Sequence, residues 1–232
     1  MRAAVSVVIP TWNAAAGLAV SLPPLMEGLQ AGVIRELVVS DAGSTDDTVR
    51  IAEEVGAKLI TGAPSRGGQM RRGAEVAEGD WLLFLHADTE LPAGWSDHVL
   101  AHIEEAPERA AYFRLSFAER GLRAKWVAGW ANLRSRMFGL PYGDQALLIS
   151  RALYDQVGGF PDQPLMEDVA MARALKGRLS ALSISVRTSG AKYVTEGWFR
   201  RGRRNLWILL RYFCGADPHA LAQSYRQSAR RS

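Results

Sequence analysis

Apolar residues in this chain come in short runs broken by polar turns, and the period of each run predicts an element. Val5 to Ile9 is a β-branched run stopped at Pro10, and Ala14 to Gln30 keeps helical spacing up to the break at Gly32. A strand followed by a helix is predicted. The pattern recurs: Leu37 to Ser40, then a helix opening near Ser44, with Thr45, Asp46 and Asp47 as further cap candidates, that runs to Val55. Lys58 to Thr61 gives a third strand, Gln69 to Ala77 another helix, and Trp81 to Leu85 a fourth strand. Such near-continuous apolar strands suit a parallel sheet covered by helices on both faces, joined by right-handed crossovers. Ligands of these sheets lie beyond the carboxyl ends of the strands. Those ends are polar here: Thr11 and Asn13 after the first strand, Asp41, Gly43 and Ser44 after the second, His86 and Asp88 after the fourth.

From Ala110 the order turns irregular. A strand is predicted over Ala111 to Phe117, an aromatic and basic helix over Leu122 to Phe138, a turn at Pro141 to Gly143, and a strand over Ala146 to Ser150. A bend at Gly158 to Pro161 follows, then a helix over Glu167 to Leu175, a strand over Leu182 to Val186 and a helix over Trp198 to Phe213. No repeat or Pro/Ser-rich linker marks a boundary, so 232 residues predict one α/β domain. We divide it into a nucleotide-binding half over residues 1–108, a second half over 109–190 and a basic helical segment over 191–232.

Composition narrows the classes. With 48% hydrophobic and 22% charged residues the chain is a folding one, and Cys214, its single cysteine, excludes an internal disulfide and a cysteine-based zinc cluster. No apolar run approaches the roughly 20 residues of a spanning helix. Met1 to Val20 faintly resembles a signal peptide, but Pro10, Trp12 and Asn13 interrupt it, and it reads as the first strand and turn. Residues 187–232 hold ten Lys or Arg against two acids, which leaves 18 against 22 for residues 1–186. A basic tail of this kind meets phosphate or an anionic membrane, or forms a solvated or dimer face.

Several templates are missing. No GxG pair, P-loop, GxSxG or HExxH can be written, which weighs against dinucleotide oxidoreductases, P-loop ATPases, serine hydrolases and zinc proteases. His98 and His102 share a predicted helix without a third ligand nearby, and an exposed face is expected. Asp41 at a strand end suits a ribose hydroxyl or base N–H, with Gly43 allowing close approach; a plain capped turn explains the same residues. Asp88, two residues past His86, presents a carboxylate and an imidazole on one side, a pair able to hold a divalent cation and diphosphate; a turn acid and a lone histidine remain the alternative. Arg66, Arg71 and Arg72 alternate with Gly67, Gly68 and Gln69, and Arg66 is the preferred phosphate contact. Glu167 and Asp168 open a predicted helix, where a carboxylate serves as general base or simply favours the helix dipole. Asp144 and Gln145 follow a proline turn and point to acceptor or sugar recognition, or to a braced loop.

The segments VSVVIPTWN, VVSDAGSTDDT, LLFLHADTELP, GGF and MED, in this order, resemble glycosyltransferase family 2 on a GT-A fold. SRGGQMRRGAEVAEGDWLLFLHADT, NLRSRMFGLPYGDQALLISR and PLMEDVAMARALK further resemble a small bacterial subgroup associated with radical-SAM, selenium or arsenosugar genes. The resemblance spans residues 5 to 225. It implies a metal-dependent, inverting transfer of one sugar from a nucleotide sugar, UDP-linked by preference, to a hydroxyl acceptor, small or lipid-linked. Pro10, Thr11, Asn13, Asp41, Gly43, Arg66, Gln69, His86 and Ala87 would then line the nucleotide. Asp88 would hold Mg²⁺ or Mn²⁺, and Asp168 would be the base, with its catalytic neighbour Glu167 free to orient the acceptor. Ala14 stands where the family usually has an acid, and His86 where it usually has Asp; the processive QxxRW motif is absent. Ser189 to Tyr193 departs from the subgroup's basic, aromatic element.

Two rival readings accompany this one: a catalytically idle nucleotide-binding scaffold, and a surface reading of the tail. Arg200, Arg201, Arg203, Arg204 and Arg211 beside Trp198, Phe199, Trp207, Tyr212 and Phe213 fit an anionic membrane surface better than nucleic acid, while packing over the core or across a homodimer explains the same aromatics. The implied location is cytoplasmic, peripheral at the inner face of the membrane.

Overall fold

Five polar groups at the carboxyl ends of adjacent strands are lined up by one curled sheet. The computed structural model describes residues 4–230, and side chains up to residue 225. The expected segments therefore lose residues 1–3 and 231–232, and with them Arg231, while the side chains of Arg226 and Arg230 also lie outside the described residues. The first half runs β1 (Val5–Thr11), α1 (Ala15–Ser21), α2 (Leu25–Gln30), β2 (Ile34–Asp41), α3 (Thr48–Glu54), β3 (Lys58–Thr61), α4 (Arg66–Val76) and β4 (Trp81–Phe84). The second continues with β5 (Thr89–Glu90), α5 (Trp95–Glu105), β6 (Ala110–Phe117), α6 (Leu122–Phe138), a 3-10 turn at Gly143–Gln145 and β7 (Leu147–Ser150). It closes with α7 (Arg151–Gln156), α8 (Glu167–Ala174), β8 (Leu179–Thr188), α9 (Ala191–Glu196), α10 (Trp198–Phe213) and α11 (Pro218–Arg230).

The strand order is β3-β2-β1-β4-β7-β6-β8-β5. The β1–β2, β2–β3, β1–β4 and β6–β8 pairs are parallel; β4–β7, β6–β7 and β5–β8 are antiparallel. β4 and β5 are joined by only Leu85 to Asp88, yet β5 pairs at the far end of the order. Four strand spacings of about 4.8 Å are more than so short a link bridges on a flat sheet, so the sheet curls. His86, Ala87 and Asp88 occupy that link, which puts them in the mouth of the curl.

Both faces are covered. Val5, Val7 and Ile9 of β1 join one apolar cluster, with Leu83 and Trp95, while Val8 joins the other, with Leu82, Phe84 and Met70. This period of two, with both sides apolar, is why the first strands read as unbroken hydrophobic runs.

Some boundaries differ from the sequence expectation. The helix expected over Ala14 to Gln30 is two helices, because Pro23 and Pro24 lack the N–H groups to continue the ladder. α4 starts at Arg66, three residues early, because the Ser65 hydroxyl accepts from Gly68 N at 3.3 Å and caps it. Short α7 and α9 and two-residue β5 give too weak a period to be predicted, and α11 is not among the predicted elements. His102 is not on an exposed face: it is buried edge-on against Trp81, with Nε2 2.9 Å from the Arg109 carbonyl. His98 Nδ1 lies 3.0 Å from the Gly94 carbonyl. Among the described residues no helix is long and apolar enough to cross a membrane.

Candidate active site

Register places the first wall of the site. Thr11 pairs directly with Asp41 across β1 and β2, so both parallel strands end level. The Thr11 hydroxyl donates to Asp41 Oδ1 at 2.8 Å, Ser44 Oγ donates to the same oxygen at 2.6 Å, and Gly43 N and Ser44 N donate to Oδ2 at 2.8 and 2.7 Å. Burial opposes the Asp41 charge, yet the Ser44 and Thr11 donors outweigh it and hold the carboxyl below its usual range. Asn13 takes a left-handed backbone (φ 48°), steadied by Ser44 Oγ, which accepts from Asn13 N at 2.7 Å, and by its own Oδ1, which accepts from Thr45 N at 2.8 Å. Gln69 Nε2 donates to the Thr11 and Ser40 carbonyls at 2.7 and 3.0 Å and so ties α4 to both strand ends.

In front of this wall opens a cleft of about 530 Å³. Pro10, Thr11, Asn13, Arg66, Gln69, His86, Ala87 and Asp88 all line it, as the sequence reading expects of a nucleotide site. Asp41 and Gly43 do not. Asp41 is fully buried with both oxygens occupied by its own chain, and so braces the wall. Gly43, also expected at the nucleotide, turns outward at φ 83° with its N–H given to Asp41.

A second hollow of about 190 Å³ adjoins the first and shares Arg66, His86, Asp88 and Lys192 with it. Asp144, Glu167 and Asp168 line its far side. Asp88 and Asp168 therefore face one continuous space. Asp168 is held at the N-terminus of α8: Oδ2 accepts from Gly143 N at 2.9 Å and Oδ1 from Val169 N at 2.7 Å. One lone pair on each oxygen remains for a substrate hydroxyl.

Glu167 is different in kind. It is 1% exposed, neither oxygen has a hydrogen-bond partner, and Arg66 Nε stands 3.6 Å from Oε1. Burial pushes its carboxyl up to about 7, Arg66 opposes the rise and Asp168 adds to it. Burial also pushes Asp144 up to about 6, against Arg134 and with the help of Asp168 and Asp88; its Oδ1 lacks a partner. His86 is driven well below its usual range by burial and then by Arg66, with Asp88 opposing. A Cβ on Gly143 would lie 2.4 Å from His86 Nε2, so only glycine lets the Asp168-bound turn rest on this imidazole.

Gln145, expected to read acceptor or sugar or else to brace its loop, sits inside the fold. It is fully buried, with Oε1 accepting from Ser135 Oγ at 2.6 Å and Tyr142 N at 3.2 Å, while Nε2 donates to the Phe113 carbonyl at 3.1 Å. It braces the 3-10 turn that carries Asp144. Sequence reasoning missed Tyr142, whose ring lies under the Arg134 guanidinium at 3.4 Å, and the contribution of Lys192, Tyr193 and Arg201 to the hollow. The aromatic and basic mixture of residues 189–204 was the available signal. Backbone strain marks the same place. The three non-glycine residues with positive φ among the described residues are Asn13, Ala146 and Met166, next to the first wall, the Gln145 brace and Glu167 respectively.

No set of three His, Cys, Asp or Glu residues able to cage an ion occurs among the described residues. An exposed carboxylate at Asp88, open to both hollows, suits the other way in which Mg²⁺ or Mn²⁺ is held, by one or two carboxylates completed by substrate phosphates.

The chain is similar to a PGL/p-HBAD biosynthesis glycosyltransferase of Mycobacterium tuberculosis, 34% identical over 164 residues, which cover 67% of this chain and 62% of that protein. It is also similar to an uncharacterized glycosyltransferase of Rickettsia felis, 36% identical over 130 residues, covering 54% and 46%. The chain thus spans about 62% of the length of the first of these relatives. S. aureus TarS in complex with UDP-GlcNAc shares its fold with a TM-score of 0.62 at 20% identity, covering 82% of this chain and 58% of that one. The mannosyltransferase PcManGT of Pyrobaculum calidifontis, in complex with GDP-Man and Mn²⁺, matches with a TM-score of 0.63 at 20% identity, covering 90% and 63%. These likenesses carry the fold, that of GT-A glycosyltransferases. The sequence pattern described as Glycosyl transferase family 2 matches residues 6–159, more than half of the chain. The chain belongs to glycosyl transferase family 2.

Proposed function

We propose that this protein transfers one sugar, with inversion, from a nucleoside diphosphate sugar to an acceptor hydroxyl, with a divalent cation at Asp88. The observation that carries the reading is the single space onto which Asp88, Arg66 and Asp168 all open. The nucleotide fits the larger cleft, against Pro10, Thr11, Asn13 and Ala87, and the sugar and acceptor fit the smaller one. UDP is the preferred nucleotide, in keeping with the UDP-GlcNAc complex of TarS; GDP, present with PcManGT, is the alternative arm of the test.

In this reading the acceptor hydroxyl donates to a free lone pair of Asp168. Its oxygen attacks the anomeric carbon on the face opposite the diphosphate, the proton passes to Asp168, and the bond from that carbon to the phosphate oxygen breaks. Arg66 and Lys192 neutralise the negative charge that grows on the leaving group. Asp88 would hold a divalent cation, which would supply Lewis-acid neutralisation of the same charge. Asp168, fixed by two N–H donors, is the base; Glu167 positions Arg66, and Asp144, poised near neutrality on the far wall, contacts the acceptor or sugar.

The test is a donor screen. The protein with Mn²⁺ is incubated with a panel of UDP, GDP and dTDP sugars, and slow donor hydrolysis or transfer is read by mass spectrometry. Release of one nucleoside diphosphate, abolished in Asp168→Asn, supports the proposal. Nucleotide binding without turnover of any donor returns the protein to a nucleotide-binding scaffold.

A further inference from the structure

Two helices of this fold carry apolar faces that are left largely exposed among the described residues. On α6, Leu122, Trp126, Trp130, Leu133 and Met137 recur every three or four residues, so they form one stripe, and each is 44% to 85% exposed. On α10, Phe199, Leu206, Trp207, Leu210 and Phe213 form a second stripe, 42% to 62% exposed, while Ile208 on the opposite side and Leu209 at its flank are buried. The stripes meet where the Trp126 and Phe199 rings lie 5.5 Å apart. Packing over the core, the reading open to the sequence, accounts for Trp198, which stacks on Tyr193 and meets Phe117 edge-on, but not for Phe199, Trp207 or Phe213. The α6 stripe was not part of that reading at all.

Charge decides what covers this face. Neither α6 nor α10 contains an Asp or Glu, and the exposed cations Arg123, Lys125, Arg136, Arg200 and Arg203 border the two stripes. A two-fold contact with a second copy would press these cations against themselves with no acid on either helix to answer them. An anionic lipid surface answers them directly, and three exposed tryptophans within an apolar stripe rimmed by Lys and Arg are the make-up of an interfacial helix. We infer that the α6–α10 face docks on an anionic membrane, with the helices lying in the headgroup boundary. Arg201, Asn205 and Ile208, on the inner side of α10, line the hollow that holds Asp168. Resting on the transferase reading, this docking opens the acceptor hollow beside the lipid surface and fits an acceptor carried by a lipid.

Vesicle flotation of the full chain tests it. Vesicles of phosphatidylcholine alone and with about 30% phosphatidylglycerol are compared at about 0.05 M and 0.5 M salt. The chain should partition about tenfold or more better to the anionic vesicles at low salt, and lose most of that gain at high salt. Arg200→Glu with Arg203→Glu, and separately Trp207→Ser with Leu210→Ser, should each reduce partitioning about tenfold. Arg123→Glu with Lys125→Glu on α6 is the replacement where either pair fails to give the parent circular dichroism spectrum. Equal partitioning of the charge variants and the parent overturns the inference. So does a lipid-free dimer, seen by sedimentation, that the same variants split. Titration of UDP into the same preparations separates the two claims: nucleotide binding lost with flotation kept defeats the transferase reading and leaves the docking intact.

Discussion

Asp41 and Glu167 are both acids, both buried to within a percent, and both placed beside the same cleft, yet the protein treats them oppositely. Asp41 receives four donors from its own chain and is held ionised; Glu167 receives none and is pushed toward its neutral form. The first belongs to a finished wall. The second stands where buried polar atoms have no hydrogen-bond partner in the described chain, along with Asp144 Oδ1 and His86 Nε2. The wall around Asp41 is thus preorganised by internal bonds, whereas the half bearing Asp168 holds buried acid oxygens without partners in the chain and two strained backbone positions, Ala146 and Met166.

The largest effect that sharpens this contrast is on rate. Asp168→Asn should lower transfer about a thousandfold while UDP affinity stays within about twofold, measured by mass spectrometry and calorimetry. Next comes the finished wall. Asp41→Ala strands four N–H or O–H partners and should cost about 3 kcal/mol in urea unfolding. Gln145→Ala should cost about 2 kcal/mol by the same measurement with no change in acceptor KM, because the amide serves the fold alone.

The smallest effect concerns pH. The folded state holds the Glu167 proton up to about pH 7, whereas the unfolded chain releases it near its ordinary value of 4.5, so stability falls as pH rises through that interval. Glu167→Gln removes this fall. The variant should gain steadily on the parent as pH rises from about 4 to about 8, read from urea midpoints. A constant difference across that range would break the comparison between Asp41 and Glu167.

The sequence carried the strands and the long helices well, since α6 and α10 begin and end where their apolar spacing predicts. A period of two or of 3.6 over many residues is a strong signal; α7 and α9, of six residues each, offer too few turns for any period. Strand ends told where Thr11, Asn13, His86 and Asp88 gather, because the carboxyl-end rule needs only topology. Register was not legible, and register is what turns Asp41 inward onto Thr11 and makes it a brace. Gln145 misled for a similar reason: its partners Ser135 and Phe113 lie 10 and 32 residues away in sequence. The emptiness around Glu167 was equally invisible, since it depends on burial by distant parts of the chain.

One measurement bears on the centre of the account: calorimetric titration of UDP into the protein and into Asp88→Asn, each with and without Mn²⁺. Binding to the parent should tighten about tenfold or more when Mn²⁺ is present, and the variant should show no such gain. Equal affinities with and without the ion in the parent would contradict a cation-held diphosphate at Asp88.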